Sequence, residues 1–272
     1  MEGCQCLLEK VATRFPRPIK EFVKRRLNER GIYTIRDTKG LGERGFHDIR
    51  GVGEIRTIDE FREQAFAIQR RSRLQTPQEV SALKSKYEQP IFGEIAVERL
   101  LELQAQIIDP TNILMFTGSQ LTHTLQMLES MEEAGISDRE FLATVLIHDL
   151  GKLASLKDEK WENLEGGGKF PMGENEPGSG LANCTFNWDH AYVVHARFHP
   201  YVSEDMAWTL QWHSIQTECE QFMDAHDRAL FEKYCEPFVR HDRTFIFHHL
   251  PKKRLSDYFP LVKEFFPEKV LF

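Results

Sequence analysis

Cysteine is scarce in this chain, and its few thiols form no pair of the kind that binds metal or exchanges disulfides. They are odd in number, and no two of them are spaced as CxxC: Cys4, Cys6, Cys184, Cys219 and Cys235. Structural zinc sites and disulfide-rich scaffolds depend on such pairs. Both classes are therefore disfavoured, and the thiols are expected to be reduced, as in a cytoplasmic protein.

Long apolar runs and an excess of positive charge are missing as well. No segment approaches the roughly 20 apolar residues that a membrane-spanning helix needs, and the first residues do not resemble a signal peptide. The 35 Lys and Arg residues against 42 Asp and Glu give a net charge of −7, which disfavours nucleic acid and anionic membranes as partners. We expect a monomeric protein that acts on a small-molecule substrate.

What the chain does contain is a continuous helical pattern. From Thr57 onward apolar residues recur three and four positions apart, whereas strand signals are few. Residues 61–272 are predicted to form one all-α domain. Residues 1–60 are more polar and are predicted to form an extension, either a loop or a small hairpin. This extension includes GLGERG at 40–45, which matches the dinucleotide motif GxGxxG but lacks a surrounding βαβ unit.

The elements within the helical domain follow from apolar spacing and from capping signals. Helices are predicted over 58–68, over 91–108, around His123, from the capping sequence at 137–140 to His148-Asp149, and over 188–196, 203–215 and 228–244. Between 155 and 187 the pattern gives way to a long loop. Its glycines at 166–168 predict a lid, because glycine lets the backbone approach a ligand closely.

The most informative stretch is Leu146 to Lys152, in which His148 and Asp149 close an apolar helix. Neighbouring side chains on a helix point about 100° apart, since one turn takes 3.6 residues, so they rarely reach one metal ion. A helix end broken by Gly151 can turn both of them inward. The carboxylate could then bridge two ions while the imidazole holds one of them.

Further imidazoles and carboxylates follow on apolar helical faces. With that pair included, the candidate ligands are His123, His148, Asp149, His190, His213 and Asp242. Burying six such groups unpaired would be costly, and a shared metal centre removes that cost for all of them. Histidine and aspartate donors without thiolates suit iron or manganese, and two ions about 3.5–4 Å apart are the expected geometry.

The spacing alone leaves competitors open for two of the six. They are His195 and His199 for His190, and Asp224, Asp227 and the adjacent His241 for Asp242.

In order, the series H…HD…H…H…D resembles the two-metal form of the HD-domain superfamily, and most nearly myo-inositol oxygenase and related mixed-valence di-iron oxygenases. The resemblance extends from about residue 60 to residue 272. Its supporting stretches are LIHDLGK at 146–152, FPMG at 170–173, WDH at 188–190, WHS at 212–214, FVRHD at 238–242, and a tail from LSDYF at 255–259 to FFP at 265–267. On this resemblance His190 and Asp242 rank ahead of their competitors.

The resemblance implies an HD-domain helical bundle around a dinuclear iron site that cycles through an Fe(II)/Fe(III) state, with O2 as co-substrate. One iron would be held by His123, His148, Asp149 and Asp242, and the other by Asp149, His190 and His213. Lys152 matches a substrate-contacting lysine, to which we assign a catalytic role, and Ser214 matches a substrate-contacting serine.

Three departures from the inositol oxygenase pattern bear on the substrate. Gly168 stands where an acidic residue precedes the Phe-Pro motif, Ile246 replaces a lysine after the last ligand, and residues 109–116 are more apolar. A site that lacks the polar partners of a polyol discriminates strongly against it. We therefore predict a different small polar substrate. Gly168 and Lys169 are expected to help bind it, with an anionic group of the substrate reaching Lys152 and Lys169.

Together these patterns predict an O2-dependent di-iron oxygenase that oxidises a C–H bond, with C–C cleavage as an option. The alternative is a metal-dependent HD phosphohydrolase acting on a nucleotide or phosphomonoester, in which Lys152 and the glycine-rich loop would hold phosphate. The aromatic stretch after Asp242 and the C-terminal tail favour the oxygenase. A non-catalytic scaffold is disfavoured because no ligand of the series is missing.

Overall fold

A computed structural model describes residues 58–107, 109–111, 119–164, 168–244 and 251–272. The predicted N-terminal extension up to residue 57, with its GxGxxG match, lies outside these ranges. Gly166 and Gly167 of the predicted lid, Ile246 and most of the apolar segment 109–116 also lie outside the described residues.

Helices dominate the described residues, as the sequence predicts. They are α1 (Ile58–Arg73), α2 (Pro77–Lys86), α3 (Val97–Leu103), α4 (Gln120–Glu133), α5 (Arg139–Ile147), α6 (Trp161–Leu164), α7 (His190–Phe198), α8 (Glu204–Trp212), α9 (Ala225–Leu230), α10 (Glu236–Thr244) and α11 (Phe259–Phe265). A π-helical turn, Phe231–Cys235, joins α9 to α10. Within the described ranges, no helix is long and apolar enough to cross a membrane.

A small antiparallel sheet departs from the predicted pattern. The prediction of one helix over 91–108 is wrong in its first part, because α3 is preceded by the strand β1 (Glu94–Ala96). This strand pairs with β2 (Lys269–Leu271) near the end of the chain. A partner that is distant in sequence decides the conformation of these three residues, and local apolar spacing contains no sign of it.

Helix α2 is absent from the predicted elements, although its start carries a clear signal. The Thr76 hydroxyl accepts the N–H of Glu79, and the Glu79 carboxylate accepts the N–H of Thr76 in return. Pro77 occupies the first turn, where its missing N–H costs nothing. This reciprocal capping box is readable as Thr-Pro-Gln-Glu in the sequence.

Helix α5 uses the predicted capping sequence at 137–140 in a different register. Asp138, rather than the serine before it, caps the helix by accepting the N–H of Phe141. Glu140, which would close the predicted box, instead accepts hydrogen bonds from Ser203 at the start of α8. The helix therefore begins one residue later than the sequence predicts.

The core brings α4, α5, α7, α8 and α10 together. Each of these helices contributes a fully buried apolar side chain: Leu125, Leu146, Val194, Leu210 and Phe238. Helix α7 packs against α8 and against the 3-10 segment Leu150–Lys157 that follows α5, while α4 packs against α5 and α10. The polar residues predicted as ligands lie on or directly beyond these same elements.

Candidate metal centre

His148 and Asp149 lie where α5 gives way to the 3-10 segment. His148 keeps helical backbone angles, whereas Asp149 has φ −97° and ψ 6°, so the chain changes direction between them. Their side chains nevertheless point into the same cluster, with His148 Nε2 3.1 Å from Asp149 Oδ2. The predicted break at the helix end is therefore present.

Gly151 lets the first turn of α7 approach this corner. A Cβ atom at Gly151 would lie 2.1 Å from the carbonyl oxygen of His190, far inside contact distance. The close approach brings His190 next to Asp149, and its Nε2 lies 2.9 Å from Asp149 Oδ1. The packing of two backbones thus requires a glycine at this position.

The Asp149 carboxylate is shared between two groups of histidines. Its Oδ1 faces His190, while its Oδ2 faces His148 and, at 3.6 Å, His123. His213 joins the His190 side, with 3.2 Å between the two Nε2 atoms. In each group the ligand atoms lie within 4.8 Å of one another, close enough to hold one ion per group.

Asp242 completes the cluster on the His123 side. Its Oδ1 lies 3.1 Å from His123 Nε2, and α10 presents it one turn beyond Phe238. The rings of His148 and His213 pack against Phe238, whose centroid is 5.0 and 5.2 Å from theirs. The structure thus brings all six candidate ligands together, and their role as metal ligands stays a prediction.

Backbone carbonyls orient three of the imidazoles. The Nδ1 atoms of His148, His190 and His213 lie 2.6, 2.7 and 2.9 Å from carbonyl oxygens of neighbouring elements or turns. A carbonyl only accepts, so each Nδ1 donates its proton there and each ring turns its Nε2 atom toward the cluster. The Nε2 atoms of His190 and His213 face each other 3.2 Å apart, close enough for one cation to bind both.

The electrostatics of the cluster also suit a cation. Burial alone would raise the pKa of Asp149, but His148 and Lys152 hold it well below its usual value, so the carboxylate stays ionised. Burial, with the nearby His148 and His190, lowers the pKa of His213 to about 3, so this imidazole is neutral at neutral pH. An ionised carboxylate and a neutral imidazole are the protonation states that metal binding requires of these two groups.

Lys152 reaches back from the 3-10 segment toward Asp149. Its Nζ lies 3.2 Å from Asp149 Oδ2 and 2.9 Å from Asp109 Oδ2, and all three residues are buried. Gln120, in the first turn of α4, donates its Nε2–H to the same oxygen of Asp149. The predicted catalytic lysine therefore lies at the edge of the cluster, held between two carboxylates.

The other predicted substrate residues lie around Asp189. Lys169 Nζ is 2.6 Å from Asp189 Oδ1, and Ser214 Oγ donates to Asp189 Oδ2 at 2.9 Å. Gly168 packs so closely that a Cβ atom there would lie 2.3 Å from the carbonyl oxygen of Ser214. Within the described structure, Lys169 and Ser214 thus bond to a neighbouring side chain, and their contacts with substrate stay predictions.

The competing residues have partners outside the cluster, which favours His190 and Asp242 as the ligands. The rings of His195 and His199 contact each other in a tilted arrangement, with centroids 5.2 Å apart. The other three form hydrogen bonds or caps: His241 with Ser130, Asp227 with Trp208, and Asp224 as the N-terminal cap of α9.

Three buried polar residues beside the predicted ones are missing from the sequence-based set: Asp109, Gln120 and Asp189. A signal for Asp189 exists, since an aspartate directly before the first helical residue is a typical N-terminal cap. Asp109 and Gln120 offer no such signal. Their partners Lys152 and Asp149 are far away in the sequence, and only the fold brings them together.

Comparisons with known proteins do not identify a family for this chain. No protein-family model matches the chain, and no curated protein matches it. The residues and their geometry therefore have to support any functional conclusion.

Proposed function

We propose that this protein is an O2-dependent di-iron oxygenase that oxidises a C–H bond of a small polar substrate, with C–C cleavage as an option. In this proposal an HD-type centre holds two iron ions. The ligands are His123, His148, Asp149 and Asp242 for the first ion, and Asp149, His190 and His213 for the second. Nitrogen and oxygen donors of this kind fit iron.

One observation supports the proposal most strongly: the two oxygens of Asp149 face different groups of histidines. The distances are 2.9 Å from Oδ1 to His190 and 3.1 Å from Oδ2 to His148. A carboxylate that binds through both oxygens can bridge two ions about 3.5–4 Å apart. The ligand atoms of His190 and His213 also lie within 4.8 Å of each other and of Asp149, which adds a second reason to place a cation here.

The side chains around the centre have separate tasks in this proposal. Bound iron would supply the O2 binding and the electrons that no side chain of the cluster provides. Phe238 packs against the His148 and His213 rings and keeps them in orientation. Lys152, held 2.9 Å from Asp109, would orient the substrate by donating a hydrogen bond to one of its oxygen atoms, and could supply a proton there.

A phosphohydrolase receives less support from the described contacts. In that alternative Lys152 and the glycine-rich loop, with Lys169, would hold a phosphate group. The ammonium group of Lys169 is instead completely buried against Asp189. The loop therefore offers a phosphate no cation from Lys169 in this conformation.

Parallel assays distinguish the two reactions. Reduced, iron-loaded protein is tested for O2 uptake across polyols, hydroxy acids and phosphonates, and manganese-loaded protein for phosphate release from nucleotides and phosphomonoesters. We expect saturable O2 uptake with one substrate class and no phosphate release. Asp149→Ala is the matched control and should abolish the uptake. Phosphate release that depends on Asp149, without O2 uptake, would replace the oxygenase by the hydrolase.

A further inference from the structure

A buried ion pair lies beside the His190 and His213 side of the cluster, and the proposed function gives it no role. Lys169 is 0% and Asp189 1% exposed, with 2.6 Å between Lys169 Nζ and Asp189 Oδ1. Moving two charges out of water is costly, and apolar side chains of similar volume often stabilise a protein as well or better. Stability alone therefore does not explain why charged groups occupy this position.

Additional contacts hold the pair in one arrangement. Asp189 Oδ1 also accepts the N–H of Ala191 at 3.1 Å, and Asp189 Oδ2 accepts the hydroxyl of Ser214. The Lys169 ammonium lies 4.2 Å from the centroid of the Tyr192 ring. A fully bonded polar network of this kind restricts the side chains more strongly than apolar packing does.

These contacts connect the two backbone segments that bear His190 and His213. Asp189 is the N-terminal cap of α7, and His190 is the first residue of that helix. Ser214 directly follows His213, and its carbonyl oxygen accepts the N–H of Lys169 at 3.0 Å. Lys169 therefore bonds to the residue before one proposed ligand and to the residue after the other.

We infer that the Lys169–Asp189 pair is a positioning unit for the second metal ion, because it fixes the spacing between His190 and His213. The inference rests on the proposed function. The Nε2 atoms of His190 and His213 lie 3.2 Å apart, and the contacts of the ion pair with both backbone segments hold the two rings at that spacing. Residues that orient metal ligands commonly lie in this layer around a metal site. Lys169 and Ser214 are then positioning residues for the ligands His190 and His213.

The test separates metal positioning from general stability. Co(II) binding to Lys169→Met, Asp189→Asn and the double variant is titrated by visible absorbance, and urea unfolding of each metal-free protein is measured alongside. The double variant removes both charges but keeps an amide, whose oxygen can cap α7 and whose NH2 group can donate to the Ser214 hydroxyl. His213→Ala gives the binding curve of the first ion alone. Val262→Ala is the control for a general loss of stability. It removes buried atoms of α11, a helix that bears no proposed ligand, and leaves a cavity in the core.

We expect each single variant to lose stability, because it leaves one buried charge without its partner. The double variant should recover most of that stability. It should still bind the second Co(II) ion at least about tenfold more weakly than the unmodified protein and show an altered absorbance spectrum, because a residue that orients a metal ligand is lost. The first ion should keep its affinity. Val262→Ala should lose stability and keep both affinities.

Two results would overturn the inference. The first leaves the proposed function intact, and the second excludes it as well. Wild-type affinity for both ions in the double variant would exclude the positioning role and leave the proposed function intact. Failure of the unmodified protein to bind two Co(II) ions would exclude the proposed function and the positioning role together. If the double variant does not fold, Asp189→Asn alone is tested, and wild-type affinity of that variant for both ions would exclude the positioning role.

Discussion

At the scale of single residues, Asp149 is the side chain on which the cluster depends most. It is the one carboxylate of the described cluster that contacts both groups of histidines, at 2.9 Å on the His190 side and 3.1 Å on the His148 side. His213, by contrast, belongs to the group of Asp149 and His190 and not to that of His123 and His148. Removing each of them should therefore have a different effect on metal content.

We expect Asp149→Ala to lose both metal ions and His213→Ala to keep one ion per chain. The reason is that Asp149 contributes to both proposed ion sites and His213 to one. Metal content of the purified proteins, determined by inductively coupled plasma mass spectrometry, measures this. Stability should fall in both variants, because the remaining buried ligands lose the ion that pairs them. Two ions per chain in Asp149→Ala would exclude the bridging assignment.

Lys152 lies beside the cluster and is not a proposed ligand. Lys152→Ala should therefore keep two ions per chain, while kcat/KM falls at least about tenfold because a charged hydrogen-bond donor to the substrate is lost. Lys160→Ala, at an exposed lysine nearby in the sequence, is the control and should retain full activity. Loss of metal from Lys152→Ala would show that this lysine supports the ligands themselves.

Some of the candidate ligands could be named because they are polar residues on an apolar helical face or at the end of one, whereas the family resemblance ranks His190 and Asp242 above their competitors. His213 ends the line of Met206 and Leu210, and both of those residues are buried as the spacing predicts. The supporting residues could not be predicted in this way. Asp109 lies in a turn without periodicity, and its partner Lys152 comes from a different element.

At the scale of elements, the corner between α5 and the 3-10 segment determines the site. The sequence predicts this break correctly from Gly151 and the helix that precedes it. The small strand β1 and the π-helical turn at 231–235 leave no such trace. Strand β1 depends on a distant partner strand. The π-helical turn widens a helix whose apolar spacing predicts one continuous helix over 228–244.

Gly151→Ala should displace α7 from this corner and impair metal binding. Its Cβ atom would meet the carbonyl oxygen of His190 at 2.1 Å, so the backbone that bears His190 has to move. Gly173→Ala is the control: Gly173 has φ +68° but no atom within 4 Å of an added Cβ. The control should lose about 1 kcal/mol of stability from backbone strain and keep its metal. Metal content and thermal unfolding of both variants test this. Full metal content in Gly151→Ala would contradict the close-packing argument.

At the scale of the whole molecule, the proposed ligands come from α4, α7 and α10 and from the ends of α5 and α8. Metal binding should therefore be linked to folding, since the site exists only when these elements are packed together. The same packing constrains the predicted substrate residues. Gly168 in particular cannot accept a side chain without moving Ser214, because the added Cβ would lie 2.3 Å from its carbonyl oxygen.

We expect myo-inositol to be a poor substrate. Gly168 and Ile246 replace two polar positions of the inositol oxygenase pattern. Each lost contact could cost about 1–3 kcal/mol, so together they imply about a hundredfold or more in specificity. O2 uptake by reduced, iron-loaded protein at increasing myo-inositol concentration measures this. Brisk, saturable uptake at modest concentration would contradict the expectation and make inositol the substrate.

The central claim, a dinuclear iron centre bridged by Asp149, is tested most directly by metal content combined with electron paramagnetic resonance. The protein is purified from iron-supplemented cells and its spectrum recorded before and after partial reduction with ascorbate. We predict two iron ions per chain and a mixed-valence Fe(II)/Fe(III) signal, both absent from Asp149→Ala. Fewer than two ions per chain, or two ions that are only manganese or give no mixed-valence signal at any stage of reduction, would contradict the claim.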